Sequence, residues 1–269
     1  MKKSFYTDDE ITIANQLLEN GYIIKQVDDP TLLDEMRMRV VEIACEKLSH
    51  PMPYDPEVFL STIHNIVRPD QLNDLRLFVF RKLNEINEIR PTYFALAKSL
   101  LNDVVGNELA MQNKVNLSIQ MPTDNSSLLD IHSDIYGGES PFQIVQWLPL
   151  VSVSKTQSMF ILPTEKTKQV AIEYKSIGNM SSLYERVKDD LIWLDIPYGK
   201  VLVFDSSCLH GNIVNLEKNS RWSLNCRFKG LFTPYVSAEK KLGSFYLPIT
   251  TKVASKVGLN YRQPDGFEE

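Results

Sequence analysis

The chain has 269 residues, of which 43% are hydrophobic and 23% charged, a balance typical of a folded globular protein and not of a disordered or fibrous one. Its formal net charge of −5 argues against nucleic acid as a partner, because phosphate binding needs a basic face. The longest mainly apolar stretch, Phe142 to Val153, is interrupted by polar residues and is too short to cross a membrane. The N-terminal residues become acidic where a secretory signal would become apolar, so we expect a cytoplasmic protein.

The first hundred residues have the spacing of helices. Thr7 is followed by three acidic residues, which is a typical helix start, and Gly21 is a typical helix end. After Gly21 the sequence predicts one short strand and three further helices. In chain order these elements are the strand Tyr22–Val27 and the helices Leu32–Leu48, Leu72–Ile89 and Pro91–Val105.

From about Val115 the pattern changes to the alternation of apolar and polar residues that predicts strands. The predicted strands are Val115–Met121, Phe142–Leu150, Ser158–Leu162, Leu191–Ile196, Lys200–Phe204 and Arg221–Gly230. The segment Thr164–Asp190 interrupts them and leaves room for a helix. Many short strands between turn residues favour a sandwich or a barrel.

We expect one domain over residues 1–269, with a helical part at 1–110, a strand-rich core at 111–235 and a C-terminal extension at 236–269. The last eight residues, Arg262–Glu269, are polar and are expected to be poorly ordered. The three cysteines are an odd number at wide spacing, so we interpret them as reduced thiols and not as disulfides or zinc ligands. A transition-metal site would then draw on carboxylates and on the four histidines: His50, His64, His132 and His210.

Two of these histidines have neighbours that suit metal binding. His132 and Asp134 are two residues apart, so in an extended segment their side chains point to the same side. His210 follows a predicted strand and is separated from Asp134 by 75 residues, and ten further residues separate it from Arg221. Two histidines and one carboxylate on one face of a metal are the ligands of non-heme iron oxygenases, whereas a closed zinc site needs a fourth ligand.

Each of these residues, taken singly, is also common in a purely structural role. A His-x-Asp pair is more often a surface turn or a satisfied core pair, His210 could end a strand, and Arg221 could be a surface cation. Their joint order and spacing within the strand-rich half favour the metal site. His50 and His64 lack a carboxylate at ligand spacing, and we interpret both as structural.

With these residues the chain resembles the iron(II)/2-oxoglutarate-dependent dioxygenases, specifically the phytanoyl-CoA hydroxylase-like branch. The resemblance covers roughly residues 115–235. Beyond the metal residues it rests on four segments that are similar to family motifs: Gln146–Leu150, Ser158–Pro163, Val203–Asn212 and Arg221–Ser223. The chain departs from the family at Thr164–Thr167, where the family has Gly-Ser-His, and this leaves the shape of that loop open.

The resemblance implies a mainly β fold with α, a double-stranded β-helix (jelly-roll, cupin-like) with the N-terminal helices packed outside. It implies that iron(II) is held by His132, Asp134 and His210, and that 2-oxoglutarate binds the metal while Arg221 and Ser223 hold its far carboxylate. Dioxygen is the second co-substrate. The implied reaction is hydroxylation of a small polar metabolite with release of succinate and CO2. Similarity of the segment His132–Leu150 to oxygenases of bacterial carbohydrate biosynthesis suggests a sugar or sugar derivative.

Further polar residues are candidates for the same site. Asn116 and Gln120 share a strand face that either points inward, to hold 2-oxoglutarate or substrate, or is exposed to solvent. The candidate substrate contacts are Tyr136 and Glu139, in the loop after the metal motif, and Asn225 and Arg227, which continue the face of Arg221.

Two other functions remain open at this level. A cupin-like isomerase, epimerase or metal-dependent sugar-binding protein would share the barrel and the metal but would need no 2-oxoglutarate. Arg221 and Ser223 distinguish these functions from the oxygenase, because only an enzyme that binds 2-oxoglutarate requires them. A catalytically silent scaffold is disfavoured by the intact set of three metal residues.

Overall fold

The computed structural model describes residues 4–265; residues 1–3 and 266–269 lie outside this description, and with them half of the terminal segment Arg262–Glu269 expected to be poorly ordered. Within the described part the α-helices are α1 (Asp8–Asn20), α2 (Pro30–Leu48), α3 (Pro56–Ser61), α4 (Pro69–Leu83), α5 (Ile89–Ala95), α6 (Lys98–Val104), α7 (Thr164–Ile177), α8 (Met180–Val187) and α9 (Val253–Leu259). The β-strands are β1 (Tyr22–Gln26), β2 (Leu109–Gln112), β3 (Asn116–Gln120), β4 (Gln143–Pro149), β5 (Phe160–Ile161), β6 (Ile192–Trp193), β7 (Lys200–Asp205), β8 (His210–Gly211), β9 (Arg221–Gly230) and β10 (Tyr246–Thr250).

The start and end of α1 follow from local chemistry, as the sequence predicts. The Thr7 hydroxyl accepts from the backbone N–H of Glu10, and the Glu10 carboxylate accepts from the backbone N–H of Thr7. Gly21 ends the helix in the left-handed region, with φ of 80°. A side chain at Gly21 would lie 2.5 Å from the sulfur of Cys208, so the glycine also lets the helix end pack against the chain just before His210.

Two of the predicted helices differ from the observed ones. The helix predicted over Leu72–Ile89 ends at Leu83, because the Asn84 side chain turns back onto Phe80 and also pairs with the backbone of Val115 beside β3. The single helix predicted over Pro91–Val105 is divided into α5 and α6, and the carbonyl of Leu96 at the division accepts from the N–H of Asp28. At Leu96 a bond to a distant part of the chain takes a carbonyl that the next turn of helix would use, and at Asn84 the side chain ties the helix end to the chain before β3.

The strands form two antiparallel sheets. In the larger, seven-stranded sheet the order is β1-β7-β4-β9-β2-β10, and β3 joins it by pairing with β9. The smaller sheet has the order β6-β5-β8. Helices α2 and α4 pack together, α4 contacts β3, and the largest apolar core lies between these helices and the larger sheet. The fold is therefore mixed α and β with antiparallel sheets, and the helices precede most of the strands as predicted.

The segment Thr164–Asp190 contains two helices, α7 and α8, inserted between β5 and β6 of the smaller sheet. The Asn179 side chain caps α8 by accepting from the N–H of Ser182. The insertion packs on an apolar cluster that is separate from the main core and includes Leu183, Ile131 and Leu209. Since Ile131 and Leu209 each precede a candidate metal histidine, this cluster supports the chain on both sides of the site.

The segment after residue 235, predicted as an extension of the core, contributes an edge strand to the larger sheet. Strand β10 pairs antiparallel with β2, and Tyr246 at its start is 1% exposed. Among the helices of residues 4–265, none has the length and apolar character needed to cross a membrane.

Candidate metal centre

The backbone places His132 and His210 opposite each other. His132 precedes a 3-10 turn at Asp134–Gly137, and His210 is the first residue of β8. Each histidine donates its backbone N–H to the carbonyl of the other, at 2.9 Å in both directions. This reciprocal pair brings the two imidazole ring centres to 4.4 Å.

Hydrogen bonds to the backbone also orient both rings. Nδ1 of His132 lies 2.7 Å from the carbonyl oxygen of Asp130, and Nδ1 of His210 lies 2.9 Å from that of Cys208. Because a carbonyl only accepts, Nδ1 of each ring carries a proton, and Nε2 is the nitrogen left for a metal. Burial lowers the pKa of His210 to about 4, so this ring is neutral at pH 7.

Asp134 completes the group. Its Oδ1 lies 3.6 Å from Nε2 of His132 and 4.0 Å from Nε2 of His210. Its Oδ2 accepts a hydrogen bond from Nε of Arg227 at 2.9 Å, with Nη2 at the same distance. Burial acts to raise the pKa of Asp134, but its charged and polar neighbours, the Arg227 guanidinium among them, outweigh it, so the pKa lies below its ordinary value.

One nitrogen from each histidine and one carboxylate oxygen thus lie within 4.8 Å of one another, the one such group of potential metal ligands found in residues 4–265. Two imidazoles and a carboxylate suit a divalent first-row transition metal that keeps open coordination positions. A closed structural zinc site would need a fourth ligand. The donor set therefore fits iron(II), the metal that the sequence resemblance implies.

A cavity of about 120 Å³ opens from this group. Its polar lining includes the three metal residues together with Arg221 and Ser118, and its walls include large apolar side chains. The lining residues are Ser118, Ser127, Leu129, His132, Asp134, Val145, Trp147, Met159, Phe204, His210, Gly211, Asn212, Arg221, Asn225 and Arg227.

Arg221 is a buried cation without a carboxylate partner among the described residues. Its side chain donates to the carbonyl of Ser158 at 3.1 Å and lies 3.4 Å from the hydroxyl of Ser118, while its Nε has no partner in the protein. Burial alone lowers its pKa to about 10. Since an uncompensated buried charge is costly, this arrangement is suited to an anionic ligand inside the cavity.

The strand face beside Arg221 points inward. Gln120 and Ser118 of β3 stand opposite Arg221 and Ser223 of β9, and Asn116 stands opposite Asn225. Of these, Ser118, Arg221 and Asn225 line the cavity. The Asn116 amide donates to Asn225, so Asn116 acts on the cavity through that residue.

The two remaining residues of this face are buried beside the cavity lining. The Ser223 hydroxyl has no partner in the protein, and the Gln120 amide donates to the carbonyl of Ile213 while its own oxygen is unpartnered. These buried polar atoms close to Arg221 can therefore form hydrogen bonds with a ligand.

Two of the candidate substrate contacts lie away from the cavity lining. Tyr136 is about half exposed, and its ring packs against Tyr174 of α7. Glu139 is 3% exposed and is bound by residues that follow position 235. Arg227 does line the cavity, and its closest bonds are to Asp134.

Several lining residues were not singled out from the sequence. Asn212 holds the loop before His132, since its side-chain oxygen accepts from the N–H of Leu129 at 2.6 Å. Ser118 lies between Asn116 and Gln120 on the same face of β3. The alternation of polar and apolar residues along this strand was the signal that could have identified it. Trp147 and Phe204 have the pattern of ordinary core residues, because an apolar cavity wall and an apolar core do not differ in sequence.

No family model matches the chain, and no curated protein matches it either. Solved structures do match. The carbocyclase SnoK, a non-heme α-ketoglutarate-dependent enzyme from nogalamycin biosynthesis, is 13% identical with a TM-score of 0.55 over 91% of this chain and 97% of its own. HygX from Streptomyces hygroscopicus, with nickel and 2-oxoglutarate bound, is 12% identical with a TM-score of 0.52 over 89% and 96% of the two chains.

The non-heme monooxygenase ThoJ, in complex with nickel, is 13% identical with a TM-score of 0.51 over 94% of this chain and 89% of its own. At these identities the likeness establishes the fold. The chain thus has the fold of non-heme 2-oxoglutarate-dependent enzymes, which confirms at the level of fold the resemblance found in the sequence.

Proposed function

We propose that the protein is an iron(II)/2-oxoglutarate-dependent dioxygenase that hydroxylates a small polar molecule. The observation that carries this proposal is the presence, in one small cavity, of a two-histidine, one-carboxylate group and a buried arginine without a counter-charge. Either feature alone would suit several classes of protein. Together they match a metal at one end of a bound dicarboxylate and a cation at the other.

We further propose that the two antiparallel sheets form the two layers of a double-stranded β-helix. In support, the larger sheet carries Arg221 on β9 and the smaller sheet carries His210 on β8. The backbone pair of His132 with His210 continues the smaller sheet beyond β8. The cavity is then the space between the layers, where a ligand can contact both.

In the proposed enzyme His132, Asp134 and His210 hold iron(II), and 2-oxoglutarate binds between the metal and Arg221. Iron(II) and 2-oxoglutarate, when bound, would supply the oxidation: dioxygen converts 2-oxoglutarate to succinate and CO2, with one oxygen atom entering succinate and the other converting a substrate C–H into C–OH.

The chain's own residues bind and orient the co-substrate. The planar guanidinium of Arg221 suits the far carboxylate, and the Ser118 and Ser223 hydroxyls and the Asn225 amide lie along the same inner face. A charge-assisted hydrogen bond of this kind contributes on the order of 1.5–3 kcal/mol. Val145 is part of the apolar wall of the cavity.

We retain a small polar molecule, and among these a sugar or sugar derivative, as the proposed substrate class. A cytoplasmic location also remains a prediction from the sequence. A cupin-like metal protein without redox chemistry would leave Arg221 buried at a cost and without a use. The uncompensated charge of Arg221 is therefore the feature that favours the oxygenase.

Substrate-independent conversion of 2-oxoglutarate to succinate tests this proposal. With iron(II) and dioxygen, the full-length protein should produce succinate, whereas His132→Ala and Asp134→Ala should lose it and remain folded. His50→Ala is the matched control, because His50 bonds the carbonyl of Pro51 and lies outside the cavity lining. Undiminished succinate formation by either ligand variant, or none by the wild type, would contradict the proposal.

A further inference from the structure

A series of alternating charges lies behind Asp134, on the side away from the histidines. Oδ2 of Asp134 is bound by Arg227, whose Nε also lies 3.7 Å from Oε1 of Glu139. The same Oε1 lies 2.8 Å from Nζ of Lys240. Carboxylate, guanidinium, carboxylate and ammonium therefore alternate from the candidate metal site towards the surface.

Both groups that hold Glu139 belong to the segment after residue 235. The Tyr246 hydroxyl lies 2.9 Å from Oε2 of Glu139 and shares its hydrogen bond with Oε1 of Gln143 at 2.6 Å. Lys240 also donates to the carbonyl of Gly137 at 2.8 Å, at the end of the 3-10 turn that begins with Asp134. The C-terminal segment thus contacts the Asp134 turn at Gly137 and also holds Glu139, two residues after that turn.

Glu139 is placed to compete with Asp134 for Arg227. A buried carboxylate without partners is costly, and Glu139 is 3% exposed. If it lost Lys240 and Tyr246, Glu139 would be drawn to the Arg227 guanidinium 3.7 Å away. While both partners are present, Glu139 is satisfied, and Arg227 keeps its close contacts with Asp134.

The contact of Arg227 with Asp134 decides which carboxylate oxygen faces the metal. Since Oδ2 is occupied by Arg227, Oδ1 is the oxygen directed at the two imidazoles. Outer partners of this kind fix the orientation of a metal ligand and so affect metal affinity.

We infer that the segment from Ser237 to Tyr246 is part of the metal centre, with Lys240 and Tyr246 as positioning residues that act on Asp134 through Glu139 and Arg227. This inference rests on the metal site of the proposed function. It assigns Glu139 to the support of a ligand and not to substrate contact.

Cobalt(II) titration of the full-length, metal-free protein tests the inference without the need for turnover. Tyr246→Phe and Lys240→Met should each weaken cobalt binding by about 10- to 100-fold and change the visible spectrum of the bound ion. Lys240→Arg keeps the charge and should bind cobalt nearly as the wild type does. Lys241→Met is the matched control, because Lys241 is the exposed neighbour of Lys240.

The outcomes separate this inference from the proposed function. A wild type that binds no cobalt overturns both. A wild type that binds it, with Tyr246→Phe and Lys240→Met showing the same dissociation constant and spectrum, overturns the inference alone. An equal loss in Lys240→Met and Lys241→Met would show a general effect of surface charge and would also overturn it. Circular dichroism identifies any variant that fails to fold. Because the Lys240 side chain is 25% exposed, Lys240→Met is less prone to misfold than Tyr246→Phe.

Discussion

Arg221 is stabilised by neutral groups alone, a rare position for a buried cation. Its guanidinium donates to a backbone carbonyl and contacts a hydroxyl, and burial lowers its pKa to about 10. In the absence of ligand the charge costs the folded state free energy, since the partners do not neutralise it. A ligand carboxylate would supply the missing charge, so stability and ligand binding are opposed at this residue.

Arg221→Met is therefore expected to impair binding without impairing folding. Loss of a charge-assisted bond should weaken 2-oxoglutarate binding to the nickel-loaded protein by about 10- to 150-fold. The metal-free variant should unfold at the same temperature as the wild type or a higher one. Calorimetric titration and thermal unfolding measure the two effects, with Arg39→Met on the exposed face of α2 as control. Unchanged 2-oxoglutarate affinity would contradict the role given to Arg221.

Lys229 is a second buried cation, on the same face of β9 as Arg227. Its side chain donates to the carbonyl of Pro234, and its ammonium lies 3.5 Å from the ring centre of Tyr235. Burial lowers its pKa to about 8 from an ordinary 10.5, and the charge of Glu139 opposes that shift in part. Between these two pH values the unfolded chain binds more protons than the folded one, so folding stability rises with pH.

Lys229→Met should remove this contribution to the pH dependence. Below pH 8 the lysine is charged in both states, and its burial cost is fully present. As the pH rises towards 10.5, the wild type should gain free energy of unfolding relative to the variant. Urea unfolding of both proteins across this range measures the difference. A difference that stays constant with pH would contradict the assignment.

At the level of elements, β8 is two residues long, yet it fixes the spacing of the site through Gly211. A side-chain carbon at Gly211 would lie 2.7 Å from the carbonyl oxygen of Leu129 and 3.0 Å from the ring of Phe160. The backbone before His132 can pack on β8 because Gly211 has no side chain. The glycine therefore sets the distance between the two chain segments that carry the histidines.

Gly211→Ala is expected to force these segments apart. Overpacking of this kind typically costs about 1–3 kcal/mol of stability, and here it should also weaken cobalt(II) binding by separating the histidines. Gly258→Ala is the matched control, because no atom lies within 4 Å of the added carbon in α9. Normal metal affinity in Gly211→Ala would show that the approach at β8 does not set the site geometry.

Elements with strong local patterns are those that the sequence predicts well. The strand Arg221–Gly230 has its predicted bounds, because ten alternating residues leave no other period. Strands β5, β6 and β8 have two residues each, too few to define their bounds by alternation. Strand β10 contains Pro248, which is unfavourable in a strand interior but tolerated at the sheet edge where β10 lies.

In the site, too, the residues with a local sequence pattern could be predicted and those without one could not. His132, Asp134, His210 and Arg221 were predicted because their spacing fits one kind of chemistry. The partners of Glu139 could not be predicted, since Tyr246 is 107 residues away along the chain and no local pattern connects the two. Contacts that depend on the packing of distant segments leave no short-range signal.

For the whole molecule, the proposed enzyme binds a metal at one end of a cavity between two sheets and an anion at the other, beside Arg221. The N-terminal helices bury the outer face of the larger sheet, the insertion α7–α8 supports both histidine segments, and the C-terminal segment reaches the Asp134 turn. Regions from the whole length of the described chain thus converge on one small site.

The central claim is that iron(II) and 2-oxoglutarate bind together in this cavity, and anaerobic titration of the full-length protein with both tests it most directly. We predict a visible charge-transfer band of the iron–2-oxoglutarate chelate in the wild type. The band should be absent in Asp134→Ala and should need much more 2-oxoglutarate in Arg221→Met. No band in the wild type, or an undiminished band in either variant at equal 2-oxoglutarate, would contradict the claim.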